Sequence, residues 1–317
     1  MAVYFMYMKT FGRANGSSAV SAAAYRSGER LRDERTGRSY DHTARGGVLH
    51  KEIVLPAAFA DSDLGWATDR ASLWNAAEAA EPRKNARVAR EFLVALPVEI
   101  SAAQRHELVM GFARDLADRY RFAVDVAIHA PRTDPRNHHA HLLATTRELG
   151  IEGFGAKTTL EVNDARRAAL GLAPFFREVI ALRERWATAT NAALAAAHVP
   201  VRVDHRSLEE QGIDREPQPQ LPRAVWEIEQ RGERSVVGER IRAEHRARVQ
   251  ERSAQSAGSA RAAETGIESR PAPPAAPESL EEIRRRARES WLELRRRGAA
   301  ASSGGSRGHT PDDDLAR

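Results

Sequence analysis

The chain has 317 residues, 42% of them hydrophobic, with no cysteine and a formal charge of +5. That length and apolar content support one substantial domain with an appendage, or two small ones, while the lack of cysteine excludes disulfides, thiolate catalysis and cysteine zinc sites. The 49 basic residues include only four lysines, Lys9, Lys51, Lys84 and Lys157; the arginine excess suits bidentate phosphate recognition, although GC-rich coding produces the same bias.

Residues 2–8 (AVYFMYM) read as an opening strand. No basic stretch precedes this apolar start, and Lys9 ends it too early for a signal peptide. No run is long enough to cross a bilayer, so a cytoplasmic protein without membrane insertion is expected. GRANGSS is a loop, and SSAVSAAAYRSGERL reads as a helix capped by Ser17 or Ser18. Residues 48–55 form a strand ended by Pro56, LGWATDRASLWNAAEAAE an amphipathic helical region, and residues 90–96 a strand closed by Pro97. The helix ISAAQRHELVMGFARDLADRY follows with Ser101 as its cap. A hairpin comes next, then a long helix over 174–198 and a last short strand, VRVDHRS. Strands interleaved with helices and at least one hairpin define an α+β fold, a largely antiparallel sheet with helices packed on one face.

The hairpin carries the chemistry. Residues 123–129 alternate, with Val124, Val126 and Ile128 on one face and Asp125, Ala127 and His129 on the other. Residues 139–145 put His139, His141 and Leu143 on one face and Ala140, Leu142 and Ala144 opposite. The intervening PRTDPRN is turn chemistry. Antiparallel pairing gathers three imidazoles at one end of one sheet face, and three neutral imidazoles with open coordination positions suit a catalytic divalent metal better than a closed structural one. The apolar residues opposite would pack on helices and leave the histidine face open. Glu91 points to that same side, since Phe92, Val94 and Leu96 take the apolar one.

Of the five tyrosines, Tyr4 and Tyr7 sit at opposite parity in the first strand, Tyr120 ends a helix, and Tyr40 lies in a polar loop. Tyr25 stands on an Ala-rich helix whose small neighbours leave its ring accessible, with Arg26 and Arg30 near enough to favour anions. Beyond about residue 252 the chain turns Ser-, Ala- and Pro-rich. The domain organisation expected is a core over 1–220, a helical extension over 221–252, a linker over 253–279, a basic helix over 280–298 and an unstructured tail over 299–317. No GxxxxGK[ST] loop occurs, which excludes a fused motor domain of that type.

The opening strand, GRANGSSAVSAAAYRSGERL, AREFLVALP, the IH…NHHAHLL hairpin and VDHRSLEEQGIDREPQ occur in an order that resembles the MobA/MobL family of conjugative relaxases over roughly residues 1–220. The likeness is to the relaxase portion of TraA proteins in particular. It implies an HUH-type palm, with the family's nucleophilic tyrosine falling on Tyr25, its metal histidines on His129, His139 and His141, and an active-site carboxylate on Glu91. His205 and Arg206 fall in a further family motif, read as structural support of the site. The chain departs from the family pattern at PQLPRAVWEIEQRG.

The resemblance implies a site-specific DNA nickase using Mg²⁺ or Mn²⁺ at an origin of transfer, recognised partly as a hairpin and partly as single strand. Relaxosome accessory proteins and a type IV secretion coupling protein are the implied partners. Asp125 is a candidate to orient an imidazole, and Trp66, Trp74 and Trp186 are candidates to stack on bases. A rolling-circle initiator or transposase is the enzymatic alternative, but its tyrosine usually follows the histidines, whereas Tyr25 precedes them. A non-enzymatic DNA-binding accessory protein is the other.

Overall fold

Short alternating segments pair into a twisted antiparallel sheet. A computed structural model describes residues 3–131 and 135–264; the segment expected as a basic helix (280–298) and the tail (299–317) lie outside the described residues. The chain divides into two compact units, the first ending at Arg215 and the second beginning at Glu216.

In the first unit the elements run β1 (Met6–Gly12), α1 (Ala19–Ser27), β2 (Arg30–Arg32), β3 (Ser39–Asp41), β4 (Val48–Val54), α2 (Gly65–Thr68), α3 (Arg70–Ala79) and β5 (Arg87–Ala95). They continue with α4 (Ala102–Tyr120), β6 (Val124–His129), β7 (His139–Thr145), β8 (Arg147–Gly150), β9 (Gly153–Lys157), α5 (Asp164–Ala169) and α6 (Phe175–Ala196). Five strands form one sheet in the order β1-β5-β7-β6-β4, with every neighbouring pair antiparallel. This is the α+β class expected.

One face carries Phe92, Val94, Val124, Val126, Ile128, Ala140 and Leu142 into a core with Val109, Phe112 and Leu116 of α4 and Leu182 and Trp186 of α6. That is the parity read from the sequence. The opposite face is not left open. Helices α1 and α3 pack over part of it, where Ala23, Trp74, Ala89 and Leu143 share a second core. The Ala-rich body of α1 permits this close approach: Ala19, Ala23 and Ala24 are completely buried.

Several boundaries differ from expectation, each for a local reason. The first strand begins at Met6 rather than at residue 2 and runs on to Gly12, where it pairs with β5. Helix α1 stops at Ser27 because Gly28 caps it in the left-handed conformation, φ 65°. A side chain there would also press on Val48 Cγ2 at 3.3 Å and Arg45 O at 3.4 Å. Residues Glu29 onward therefore leave the helix, and Tyr40 belongs to the β2–β3 hairpin rather than a loop, paired with Leu31. The helical region after Leu64 breaks at Asp69, whose carboxylate accepts from Ser72 N and starts α3 afresh. Helix α4 begins as expected at Ser101, which forms a reciprocal capping box with Gln104.

The last expected strand, VRVDHRS, does not form. The side chain of Asn191 on α6 takes the place of a strand partner: its amide donates to Val203 O and its carbonyl accepts from Val203 N, both at 2.8 Å. In the second unit α7 (Arg223–Gln230) and α8 (Val236–Glu264) are helical, so residues 253–264, expected as linker, continue a helix through an alanine-rich run of high helix propensity. Among the described residues no helix is long and apolar enough to cross a membrane.

Candidate active site

The register brings the three histidines together. His129 on β6 lies opposite His139 on β7, and Ala127 lies opposite His141. The three rings sit with centroids 4.7–5.4 Å apart, and one nitrogen from each lies within 4.8 Å of the others. Strand alternation alone does this, since His139 and His141 are two residues apart and the cross-strand partner of the first is His129.

Each ring is anchored through one nitrogen. His141 Nδ1 donates to Glu91 Oε1 at 2.7 Å, His139 Nδ1 donates to Asn137 O at 2.9 Å, and His129 Nε2 donates to Arg26 O at 2.8 Å. These bonds assign the tautomers and leave His141 Nε2, His139 Nε2 and His129 Nδ1 with the lone pairs, that of His129 accepting from Arg45 Nη2 at 3.4 Å. A neutral imidazole whose other nitrogen is held by an acceptor is the usual state of a metal ligand, so the residues fit a divalent cation. Burial holds His129 in that neutral state, pushing its pKa down to about 3 despite the carbonyl of Arg26. His141 is also lowered by burial, against the opposing pull of Glu91.

Glu91 is completely buried. Burial works against its charge, but hydrogen bonds from His141 and Arg26 outweigh it and hold the carboxyl far below the usual range. Lys9 Nζ adds a contact to Oε2 at 3.0 Å. Arg26, expected to face incoming anions, instead turns inward and ion-pairs with Glu91. Arg30 remains an exposed strand residue. Asp125 orients no imidazole: it accepts a bidentate pair from Arg70 at 2.8–3.1 Å and the Trp74 indole at 2.9 Å, tying α3 to the sheet.

Replacing Glu91 by alanine is expected to lower stability by about 3–5 kcal/mol, because Arg26 loses its buried partner. Metal affinity should fall about 10–100-fold as His141 loses its orienting acceptor. Urea titration and calorimetric metal titration read the two effects; an unchanged affinity would show that the carboxylate does not set the ring.

Because the folded pKa of His129 is depressed, its contribution to stability is complete above pH 6.5, the ordinary value, and is lost as pH falls toward 3. Glu91, also depressed, adds a second decline below about pH 4.5. Metal-free urea midpoints should therefore fall from pH 6.5 downward, and His129→Asn should flatten the upper limb. Equal midpoints at pH 7 and pH 5 would contradict this.

Tyr25 ends up at the exposed edge of α1, 38% accessible. Its helix is pinned at the front by Ser18 and by Glu78, whose carboxylate accepts from Ala19 N at 2.7 Å, an acidic group suited to a helix N-terminus. At the back, the segment between β3 and β4 folds over the ring. The Arg45 guanidinium lies 3.7 Å above the Tyr25 ring centre, Arg45 Nη1 donates to Tyr25 O at 2.7 Å, and Arg45 Nη2 is 3.4 Å from His129 Nδ1. His42 meets the ring edge-on at 5.2 Å. Tyr25 and the triad thus flank one guanidinium. Arg45 was missed in the sequence, where an arginine in a Gly-flanked loop carries no signal of its destination.

Beside His139 and His141 opens a cleft of about 620 Å³, lined among others by Phe5, Leu93, Pro97 and Arg136. Trp74 and Trp186, candidates for base stacking, are fully buried, and Trp66 is half-buried, donating to Ile151 O at 3.2 Å. Besides Tyr25, Phe5 and Tyr7 are aromatic residues exposed on this side, 39% and 49% accessible. Arg206 pairs with Asp204 at 2.7 Å, and His205 O accepts from Arg183 of α6 at 3.2 Å; these contacts tie the segment after α6 to its own neighbours.

Fold and site together define an antiparallel-sheet protein with a trihistidine centre next to an accessible tyrosine. The chain belongs to the MobA/MobL family, whose profile matches residues 17–231, as the resemblance of its motifs implied. The match runs through all but the last residue of PQLPRAVWEIEQRG, the segment expected to depart from the family pattern. The chain is 38% identical to the mobilization protein MobL of Acidithiobacillus ferridurans, over 77% of this chain and 67% of that protein. It is 33% identical to a probable conjugal transfer protein TraA of Sinorhizobium fredii, over 80% of this chain but 25% of that protein. Against a solved structure concerning the molecular basis of vancomycin resistance transfer in Staphylococcus aureus, it superposes with a TM-score of 0.54 at 29% identity, covering 65% of this chain and all of that one.

Proposed function

We propose that this protein is a relaxase: a strand-specific DNA nickase and strand transferase acting at an origin of transfer. One observation carries the reading. Three imidazoles, each anchored through one nitrogen, converge next to a tyrosine-bearing helix that is hydrogen-bonded to the same cluster. Family membership and the mobilization and conjugal-transfer relatives support it.

In this reading Tyr25 Oη attacks the scissile phosphorus. A tyrosyl O–P bond forms, the P–O3′ bond breaks, and the 3′ oxygen leaves as a hydroxyl while the 5′-phosphate stays on the protein. One phosphodiester replaces another, so the strand can later be rejoined. His129, His139 and His141 would hold a Mg²⁺ or Mn²⁺ ion, which when bound supplies positive charge to the phosphate. Glu91 is a positioning residue: its carboxylate is committed to His141, Arg26 and Lys9 and is too weak a base to take the phenol's proton. Arg45 orients the Tyr25 ring. The cleft beside His139 would take a base next to the scissile phosphate, with Phe5 and Tyr7 as stacking surfaces.

The substrate is origin DNA, as hairpin and single strand. Relaxosome accessory proteins and a type IV coupling protein are the partners this role brings. Incubating the protein with single-stranded origin oligonucleotides and Mn²⁺ should yield a covalent adduct on a denaturing gel; cleavage without any adduct would favour a hydrolytic nuclease instead.

A further inference from the structure

A second cluster of ligand-type side chains lies on the opposite face of the sheet. Among the described residues strand β4 is the sheet's edge, paired with β6. A bulge between Val48 and His50 inserts Leu49 as an unpaired residue: Val48 faces His129, while His50 faces Ile128. From there the strand alternates. Lys51 points to the α1 side, where it meets Glu29 at 2.7 Å. His50 and Glu52 point to the other side, toward α4.

His106 on the second turn of α4 meets them. His50 Nε2 is 3.2 Å from Glu52 Oε2 and 3.2 Å from His106 Nε2, and the two imidazole planes stand at 89°. Three ligand-type atoms thus point at one small volume, within 4.8 Å of one another. Ligands about 2.0–2.1 Å from a zinc ion lie roughly 3.0–3.4 Å apart along the edges of its coordination shell, which is the spacing of His50 Nε2 from each of the other two.

We propose that His50, Glu52 and His106 form a second metal site, selective for a zinc-class transition ion. Two imidazoles and one carboxylate are borderline ligands, suited to Zn²⁺, Ni²⁺ or Co²⁺ rather than to the all-oxygen shell that Mg²⁺ prefers. The side chains of His50 and Glu52 are 30% and 50% exposed, so water completes the shell and the ion exchanges with solvent. The site sits across the sheet from the tyrosine. Its role is a clamp: it fastens the edge strand, which places Val48 beside His129, to the helix that carries one wall of the core.

The test uses the full-length protein and Zn²⁺ alone. Bound zinc per chain is measured after equilibrium dialysis for the wild type, His50→Gln and His106→Gln, with circular dichroism to verify folding. Each variant should bind one zinc fewer than the wild type and lose its share of the zinc-induced rise in Tm. Mn²⁺-supported adduct formation should be unchanged in both. Zinc uptake identical in all three proteins would overturn the proposal. The readout is a difference of one ion, so it holds whether or not the histidine triad binds metal. His139→Ala supplies the complementary control, since it should leave the clamp's zinc in place; loss of that ion in His139→Ala and not in His106→Gln would also overturn the assignment.

Discussion

Tyr25→Phe should abolish the covalent DNA adduct while leaving DNA binding within about twofold of wild type. In the proposed reaction the phenol oxygen forms the new bond to phosphorus, and no rearrangement of the ring replaces it. Loss of a nucleophile alone costs on the order of 10⁶ in rate in a well-dissected hydrolase, so the adduct should fall below detection. The ring itself survives the change. Arg45 still stacks on it and His42 still meets its edge, as both contacts are made to the face and rim rather than the hydroxyl. Removing one hydroxyl from an exposed side chain changes stability by less than about 0.5 kcal/mol. An adduct of undiminished yield would mean that another residue attacks, and Tyr7, exposed on the same side of the sheet, would be the next to replace.

His139→Ala and His141→Ala should each reduce Mn²⁺ affinity by about 100-fold or more and lower nicking in parallel. Removing an outer hydrogen-bond partner of a metal ligand typically costs 10–100-fold, so losing one of three direct ligands should cost at least the upper end. The two variants should differ in their side effects. Among the described residues His139 hydrogen-bonds to a loop carbonyl, Asn137 O, whereas His141 satisfies the buried Glu91. His141→Ala should therefore also lower the urea midpoint, and His139→Ala should leave it nearly unchanged. Raising the Mn²⁺ concentration should restore part of the nicking in His139→Ala. Metal titrations indistinguishable from wild type in both variants would remove these histidines from the ligand set.

Much of this site could be read from alternation. Once β6 and β7 are taken as antiparallel strands, parity places three imidazoles and Glu91 on one face and five apolar residues on the other, and the structure has them there. The N-cap at Ser101 was equally legible, because it is a contact between residues three apart. What escaped were contacts between distant segments. Asp125 sits on the face of the triad, yet Arg70 and Trp74, more than fifty residues earlier, claim its carboxylate. Arg26 looked like an anion binder on a surface helix, and only the packing of α1 against the sheet turns it onto Glu91. The VRVDHRS segment has the alternation of a strand, but strands need a partner edge, and here an asparagine side chain satisfies the backbone instead. Trp74 and Trp186 follow the commoner fate of tryptophans on amphipathic helices and lie in the cores.

The helix bearing Tyr25 is stitched to the histidine cluster at consecutive points of one residue: the Arg26 carbonyl receives His129, and the Arg26 guanidinium reaches His141 by way of Glu91. A displacement of that helix would have to drag two of the three rings along with it. In the proposed reaction this would tie attacking group and ligands together, as a reversible break-and-rejoin cycle demands: the severed end would stay indexed to the same coordinates until the strand is sealed again.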